Sequence, residues 1–371
     1  MTSYKTRLLW QYFRKSFWIL IIWVIISNLI FFLEYFSLVS NQYLSSEYDF
    51  KSAFTANMIV SVSAGVVGGF VTLHLMEYWL RKFAFWKALS LMVIAYTAAA
   101  VFVSTIGASY AISEQYGLPL FHPDVQEDLL LFFGSWVFVK NFIIWLLIVI
   151  GTLIVLMVND KYGPGVFRDY LLGRYFRPKN ERRIFMFTDI KDATAIAEKL
   201  GENKYFHLLK DFFKDIAPAI VQSRGEVYQY VGDEVVISWK MKPGLKNGNA
   251  IGCFFRMKQL LAAKAHTYEE RYGLVPNFKV GYHFGPVMVG ELGQIKRDIA
   301  FSGDVLNTTS RIQAKCNELG VEILASKEFS EIAYQLPMGI TPKEMGNQEL
   351  KGKKQKLSLV TYVLDHSVHP S

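Results

Sequence analysis

The chain is poor in cysteine and in charged residues. It has two cysteines, Cys253 and Cys316, among 371 residues, and only 19% of its residues are Asp, Glu, Lys or Arg. The two cysteines form no CxxC or metal-ligand spacing, which argues against a disulfide framework or a structural zinc site. This usage fits a domain in a reducing compartment such as the cytosol.

The low charge is matched by a hydrophobic content of 52%, and long apolar runs lie in the first 158 residues. Four runs there reach the ~20 residues that a helix needs to cross a bilayer. They are Phe17–Leu38, Phe54–Tyr78, Phe85–Ile112 and Leu129–Val158. We expect residues 1–158 to form an α-helical domain of four transmembrane helices in contact with membrane lipid.

The formal net charge of +8 would also suit a protein that binds nucleic acid, but the basic residues cluster at the ends of the apolar runs. Lys and Arg precede the first run, lie between the second and third, and follow the fourth. Cytosolic loops of membrane proteins carry such an excess. We expect a multi-pass protein of the inner or plasma membrane, with both termini cytosolic and no nucleic-acid partner.

Two ionisable residues lie inside these runs, Glu34 in the first and Lys140 in the fourth. They could form an ion pair between helices. An ionisable group within a membrane span is a functional candidate, but a purely structural pair or snorkelling to the interface would explain it as well.

Residues 159–181 connect the two halves of the chain. Gly163-Pro164-Gly165 interrupts any continuous helix, and the apolar positions of Val166–Phe176 follow one helical face. The pattern predicts a short amphipathic helix, which either transmits a signal from the membrane part or is a plain spacer. Both interpretations stay open.

From Arg183 onward, apolar strand-like runs alternate with helical patterns, which predicts a sheet covered by helices. Strands are expected at Ile184–Asp189, Val227–Tyr230, Val235–Trp239, Phe278–Phe284, Val287–Val289 and Leu357–Leu364. Helices are expected at Ala193–Ser223, Gly248–Tyr272 and Leu306–Leu319.

Two carboxylates lie about forty residues apart at the ends of predicted strands. Asp189 ends one strand, and Asp233 lies in the turn between the next two. A pair of carboxylates suits divalent cations bound to a polyphosphate, because hard cations prefer oxygen ligands. Nucleotide chemistry is therefore the leading interpretation. In the alternative interpretation, Asp189 caps the following helix and Asp233 is a turn residue.

Five motifs in this half occur in the order FTDIKDAT, YVGDEVV, GYHFGPVMVGELG, GDVLNTTSRI and ELKGK. Together they resemble the catalytic domain of class III nucleotidyl cyclases, the family of adenylyl and guanylyl cyclases. The resemblance implies an α+β ferredoxin-like catalytic domain over residues 182–366. It also implies a homodimer whose composite sites each hold two Mg²⁺ or Mn²⁺ ions, with metal carboxylates and the Asn/Arg pair from different subunits.

The resemblance also assigns roles to single residues. The metal ligands are Asp189, Asp233 and the carbonyl of Ile190, while Asn307 orients the ribose and Arg311 stabilises charge on the transferring phosphate. The phosphate-binding groups are Lys191, Asp192, Ala193, Thr194, Lys351 and Lys353.

The chain departs from the family pattern at two places. Asp192 and Ala193 replace a Gly-Phe pair of the first motif. At the purine-binding positions, Gln229 and Ala300 match neither the adenylyl nor the guanylyl pair, and Ser302 or Asp298 is a further candidate contact. An amide can read either purine edge.

We therefore expect a membrane-anchored adenylate cyclase that converts ATP into 3′,5′-cyclic AMP and pyrophosphate. Three alternatives remain: a guanylyl cyclase acting on GTP, a catalytically inactive module that binds nucleotide or dimerises, and a small transporter or channel with a regulatory domain.

Overall fold

The structure is a computed structural model that describes residues 2–43, 48–74, 85–162, 173, 177–295, 298–353 and 355–364. The chain divides into two compact units, Met1–Lys161 and Tyr162–Ser371. The predicted helix within Val166–Phe176 lies outside the described residues, and the predicted limits of the connector stay a prediction.

The first unit is helical. Its helices are α1 (Thr2–Ser40), α2 (Phe50–His74), α3 (Phe85–Tyr116), α4 (Pro123–Phe133) and α5 (Trp136–Tyr162). Within the described residues, four stretches are long and apolar enough to cross a membrane: Ser16–Ser40, Phe50–Val71, Ser90–Tyr116 and Trp136–Leu156. Their mean hydropathy of 1.6 to 2.5 and their large exposed apolar side chains suit a lipid environment.

The fourth predicted span, Leu129–Val158, is wrong at its start. Its first residues belong to the separate helix α4, which ends at Phe133 and has Gly134 as its C-cap. The hydroxyl of Ser135 then accepts a hydrogen bond from the Phe138 amide at 3.3 Å, as an N-cap of α5 does. A cap inside an apolar run is easily missed, since serine barely lowers the hydropathy.

Helices α1 and α5 are joined by an ion pair near one end of the bundle. The ammonium of Lys140 lies 2.9 Å from Oε1 of Glu34, which confirms that these two residues pair. Deeper in the bundle, Trp23 donates a hydrogen bond to Thr152 at 2.9 Å. Gly68 makes room for Trp23, because a Cβ there would lie 2.3 Å from the indole ring.

The second unit contains an eight-stranded sheet. The strands are β1 (Lys179–Ile190), β2 (Glu226–Val231), β3 (Glu234–Lys240), β4 (Phe278–Leu292), β5 (Asp298–Ser302), β6 (Ile323–Ser326), β7 (Ile340–Gln348) and β8 (Leu357–Leu364). Its helices are α6 (Ala193–Leu200), α7 (Glu202–Gln222), α8 (Met241–Leu245), α9 (Asn249–Ala262), α10 (Ala265–Tyr272), α11 (Asp304–Glu318) and α12 (Lys327–Ile332).

The strand order is β2-β3-β1-β4-β6-β8-β7, with β5 paired to β4. All of the neighbouring strands are antiparallel except β4 and β6. A large apolar core that includes Phe212, Trp239 and Tyr282 packs helices against one face of the sheet. A smaller cluster around Phe185 and Phe301 covers part of the other face. Strand β1 is therefore buried on both faces from Arg183 to Thr188.

Three predicted elements are divided differently in the structure. The helix predicted over Ala193–Ser223 breaks at Gly201, whose φ of +74° favours glycine. The helix predicted over Gly248–Tyr272 breaks after Ala262, and the two strands predicted between Phe278 and Val289 form the single strand β4.

Five elements of the second unit were not predicted, namely β5, β6, β7, α8 and α12. They are short or, in β7, mostly exposed and polar, so they carry little hydrophobic periodicity.

Candidate active site

Asp189 and Asp233 come together at one end of the central strands. Asp189 is the penultimate residue of β1 and lies opposite Glu234 in the β1–β3 register. Gly232, with a φ of +61°, turns the chain between β2 and β3 and places Asp233 beside Asp189. Burial, a hydrogen bond to Asp189 and the charge of Asp189 raise the pKa of Asp233 to about 6. The two carboxyl groups thus lie close together at the ends of paired strands.

Negative charge accumulates around this pair. Burial, followed by the charges of Asp189 and Asp233, raises the pKa of Glu234 to about 7. The same three influences raise the pKa of Tyr205 to about 12. A half-buried site in which several carboxyl groups crowd together is suited to bind cations.

The donor set fits Mg²⁺ or Mn²⁺. Among the described residues, no three His, Cys, Asp or Glu side chains are arranged to hold a metal ion. The two carboxylates therefore need other oxygen ligands, which the Ile190 carbonyl and a nucleotide triphosphate would supply. Such ions are commonly held by one or two carboxylates together with substrate phosphates.

Two further side chains contact Asp189 on the same oxygen. Nζ of Lys279 lies 3.2 Å from Oδ2, and Nε2 of Gln313 donates a hydrogen bond to Oδ2 at 3.0 Å. Asp192, not Asp189, occupies the N-cap position of α6, and its side chain makes no capping bond. Asp189 is therefore not a helix cap.

The predicted phosphate segment forms a turn before α6. The backbone amide of Lys191 already donates a hydrogen bond to the Asn277 carbonyl at 2.9 Å. The side-chain ammonium of Lys191 lies 3.5 Å from Oε1 of Glu322. The Lys191 amide is thus engaged elsewhere, contrary to the expectation that it faces a phosphate. Asp192 has a φ of +55°, and Ala193 and Thr194 open α6, where backbone amides favour anions.

Asn307 and Arg311 lie on α11. Asn307 is exposed and Arg311 is half-buried. A helix turns by about 100° per residue, so these two side chains share one face while Gln313 projects roughly from the opposite side. Gln313 contacts Asp189 of the same chain. Asn307 and Arg311 therefore project from a different side of α11 than the one that contacts Asp189 in the same chain.

The lysine loop between β7 and β8 lies against the Arg311 side chain. A Cβ at Gly352 would lie 3.3 Å from Nη2 of Arg311. A groove of about 560 Å³ is lined by Lys315, Glu349, Leu350, Lys351, Gly352, Lys353, Gln355 and Lys356. The ammonium of Lys353 pairs with Asp304, and that hydrogen bond lowers the pKa of Asp304.

The purine-binding candidates lie on β2 and β5. Gln229 and Ser302 are exposed and Ala300 is half-buried. The neighbouring residues Tyr228 and Phe301 contact each other: the Phe301 amide donates to the Tyr228 hydroxyl at 3.2 Å, and the ring centroids lie 4.7 Å apart. This contact brings the two candidate-bearing strands together.

Sequence analysis missed Glu234, Lys279 and Gln313. Lys279 interrupts an apolar strand run and lies directly opposite Asp189 in the β1–β4 register, which is a usable signal. Gln313 looks like an ordinary helix residue, and only the packing of α11 shows that it is 5% exposed.

The model of the adenylate and guanylate cyclase catalytic domain matches residues 178–366. This chain belongs to that family.

Adenylate cyclase 2 of Rhizobium meliloti (strain 1021) is 31% identical over 222 residues, covering 60% of this chain and 61% of the relative. Adenylate cyclase 1 of the same organism is 25% identical over 183 residues, covering 48% of this chain and 27% of the relative. The chain thus spans less than two thirds of these relatives.

Among solved structures, a bacterial light-regulated adenylyl cyclase aligns with a TM-score of 0.49 and 23% identity, covering 59% of this chain and 63% of that one.

Proposed function

We propose that the protein is a membrane-anchored adenylate cyclase that converts ATP into 3′,5′-cyclic AMP and pyrophosphate. The observation that carries the proposal is the placement of Asp189 opposite Glu234, next to Asp233, in the register of β1 and β3, where burial and the neighbouring Asp189 carboxyl raise the pKa of Asp233 to about 6. Such a pair suits two-metal phosphoryl chemistry. Asn307 and Arg311 are both present, which argues against an inactive module.

The active form is a homodimer with composite sites. Asn307 and Arg311 lie on the face of α11 opposite to Gln313, which contacts Asp189 of the same chain. One chain therefore presents the carboxylates and the Asn/Arg pair in different directions. A second copy supplies the missing half of each site.

The site residues have separate chemical roles. Asp189, Asp233 and the Ile190 carbonyl hold two Mg²⁺ or Mn²⁺ ions, which when bound lower the pKa of the ribose 3′-hydroxyl and neutralise the triphosphate. Asn307 orients the ribose. Arg311 stabilises charge on the α-phosphate, for which its planar, permanently charged guanidinium is suited.

The remaining contacts bind the nucleotide. The amides at the N-terminus of α6, those of Asp192, Ala193 and Thr194, bind phosphate oxygens together with Lys351 and Lys353. Gln229 reads the purine edge with Ala300 or Ser302 beside it. Adenine is supported by the name of the relative that is 31% identical, an adenylate cyclase. A guanylyl cyclase is the competing outcome of the assay below.

The four apolar helices anchor the enzyme in the inner or plasma membrane, with both termini cytosolic, as the placement of Lys and Arg indicates. Residues 1–158 then form the membrane domain, 159–181 the connector and 182–366 the catalytic domain. In this arrangement the catalytic domain meets cytosolic ATP.

The deciding experiment incubates the purified full chain in detergent or nanodiscs with ATP or GTP and Mn²⁺, and identifies the products by mass spectrometry. We expect cyclic AMP and pyrophosphate in equal amounts from ATP, and no product from an Asp189→Ala protein. Cyclic GMP as the main product overturns the base assignment. No cyclic product from either nucleotide, with folded dimer present, overturns the activity.

A further inference from the structure

Two donors converge on a single oxygen of the Asp189 carboxylate. Nε2 of Gln313 lies 3.0 Å from Oδ2, and Nζ of Lys279 lies 3.2 Å from the same atom. Gln313 is 5% exposed and Lys279 is 8% exposed. Buried polar groups are rarely placed without a partner, so both side chains are committed to this carboxylate.

The position of Gln313 is set by close backbone packing. A Cβ at Gly281 would lie 2.4 Å from the backbone nitrogen of Gln313, so only glycine in β4 lets α11 approach this closely. Gly281 lies two residues after Lys279 on the same strand. The strand that carries Lys279 and the helix that carries Gln313 are thereby held at a fixed separation.

We propose that Gln313 is a positioning residue for the metal site, which fixes the rotation of the Asp189 carboxylate by donating to Oδ2. The inference rests on the proposed role of Asp189 as a metal ligand. Hydrogen bonds from outer residues to a metal-binding carboxylate orient it and tune its affinity. Gln313 does so without charge, whereas Lys279 also changes the local electric field.

The first test measures Mn²⁺ binding to the nucleotide-free full chain by electron paramagnetic resonance, which reports free Mn²⁺. Gln313→Met keeps the length of the side chain and removes the donor. We expect its Kd for Mn²⁺ to rise roughly tenfold. The matched control is Asn317→Leu, which removes an exposed amide from the same helix and should bind Mn²⁺ as wild type does.

The cyclase assay gives a second readout that a merely structural role would not move. In Gln313→Met, half-maximal activity should require roughly tenfold more Mn²⁺, while kcat at saturating Mn²⁺ returns close to the wild-type value. A kcat that is low at every Mn²⁺ concentration, with an unchanged Mn²⁺ Kd, overturns the proposal. If Gln313→Met does not fold, Gln313→Asn, whose amide is too short to reach Oδ2, takes its place with the same expectations.

Heterodimers locate the subunit in which Gln313 acts. A dimer of an Asp189→Ala chain and an Arg311→Ala chain has one intact composite site, whose carboxylates come from the Arg311→Ala chain. Adding Gln313→Met to that chain should raise the Mn²⁺ requirement of the surviving site. Adding it to the Asp189→Ala chain should leave the requirement unchanged. An effect from the Asp189→Ala chain alone would mean that Gln313 acts through Arg311 on its own helix, and equal effects from both chains would mean a general effect on the fold. Either result would show the proposal to be wrong.

Failure of the positioning role and failure of the proposed function look different. If Asp189→Ala binds Mn²⁺ as wild type does, Asp189 is not a metal ligand. Both the positioning role of Gln313 and the proposed function are then wrong. If Asp189→Ala loses Mn²⁺ binding but Gln313→Met does not, only the positioning role falls. If Gln313→Met weakens Mn²⁺ binding but the mixed dimer is inactive, the positioning role stands and the composite homodimer falls.

Discussion

Lys279 lies directly opposite Asp189 in the register of β1 and β4, and its ammonium nitrogen is 3.2 Å from Oδ2 of that carboxylate. Lys279 lies beside a carboxylate cluster that also includes Asp233 and Glu234, and its charge lowers the pKa of Asp233 against the stronger effects of burial and Asp189. It therefore balances part of the site's charge when no metal ion is bound.

Replacing this cation should change metal affinity and stability in opposite directions. In Lys279→Met, a divalent ion at Asp189 no longer meets a buried like charge, so we expect the Kd for Mn²⁺ to fall by about tenfold. The metal-free protein should unfold at a lower temperature, because its carboxylates lose their counter-charge. Mn²⁺ titration and thermal unfolding of the same samples measure both effects.

The control is Lys343→Met, which removes an exposed lysine on β7 and should alter neither quantity. Weaker Mn²⁺ binding in Lys279→Met would show that orientation of Asp189 outweighs charge repulsion at this position.

Replacing Asp233, which we propose as a metal ligand, should abolish activity without destabilising the metal-free protein. Asp233→Asn keeps the shape of the side chain but relieves the repulsion from Asp189 that helps to raise its pKa. We expect cyclic AMP formation to fall at least a hundredfold, and the unfolding temperature without metal to stay equal or rise.

Glu269→Gln, an exposed acid-to-amide change on α10, is the matched control and should keep full activity. A substantially active Asp233→Asn enzyme in Mg²⁺ would remove Asp233 from the metal site.

The raised pKa values predict how the stability of the metal-free protein depends on pH. The pKa of Asp233 is raised from 3.8 to about 6, and that of Glu234 from 4.5 to about 7. The folded state therefore holds these protons more tightly than the unfolded state. Their stabilising contribution is complete below pH ~4 and is lost as the pH rises toward 7.

His283 acts in the opposite sense, since burial lowers its pKa from 6.5 to about 4, so the measurement is a difference. The unfolding temperature of wild type minus that of Asp233→Asn should become more negative between pH 4 and pH 7. Saturating Mn²⁺ should remove that slope. If the difference in unfolding temperature stays constant between pH 4 and pH 7, the pKa of Asp233 is not raised in the folded protein.

Parts of this site could be predicted from sequence because they follow from local chemistry. Asp189 lies near the end of one β-rich run and Asp233 joins two others, and their proximity follows once β1 and β3 pair. Residues that depend on packing could not be predicted. Gln313 reaches Asp189 only because Gly281 lets α11 approach β4.

The membrane unit shows the same contrast. Hydropathy predicts four spans, since each is a property of about 20 consecutive residues. The start of the fourth depends on one hydrogen bond from the Phe138 amide to Ser135, which no averaged property detects. The pairing of Glu34 with Lys140 was predictable because an isolated charge in a membrane span needs a partner.

Subunit complementation tests the composite site directly. Asp189→Ala and Arg311→Ala chains should each be inactive, and a dimer of the two has one site with both lesions and one with neither. We expect about half of the wild-type activity per dimer in a purified mixed dimer. A mixed dimer that forms but makes no cyclic AMP would contradict sites shared between subunits.

Base selection should depend on Gln229, which is exposed on β2 in a single chain. If the second subunit and the nucleotide cover it, its amide pairs with the purine edge, and a buried polar group left unpaired costs about 1–3 kcal/mol. Gln229→Ala should then narrow the ratio of kcat/KM for ATP over GTP by roughly tenfold, while the dependence on Mn²⁺ is unchanged. Lys343→Ala serves as the exposed control. An unchanged ratio in Gln229→Ala would assign base recognition to other groups, with Ser302→Ala the next variant to measure.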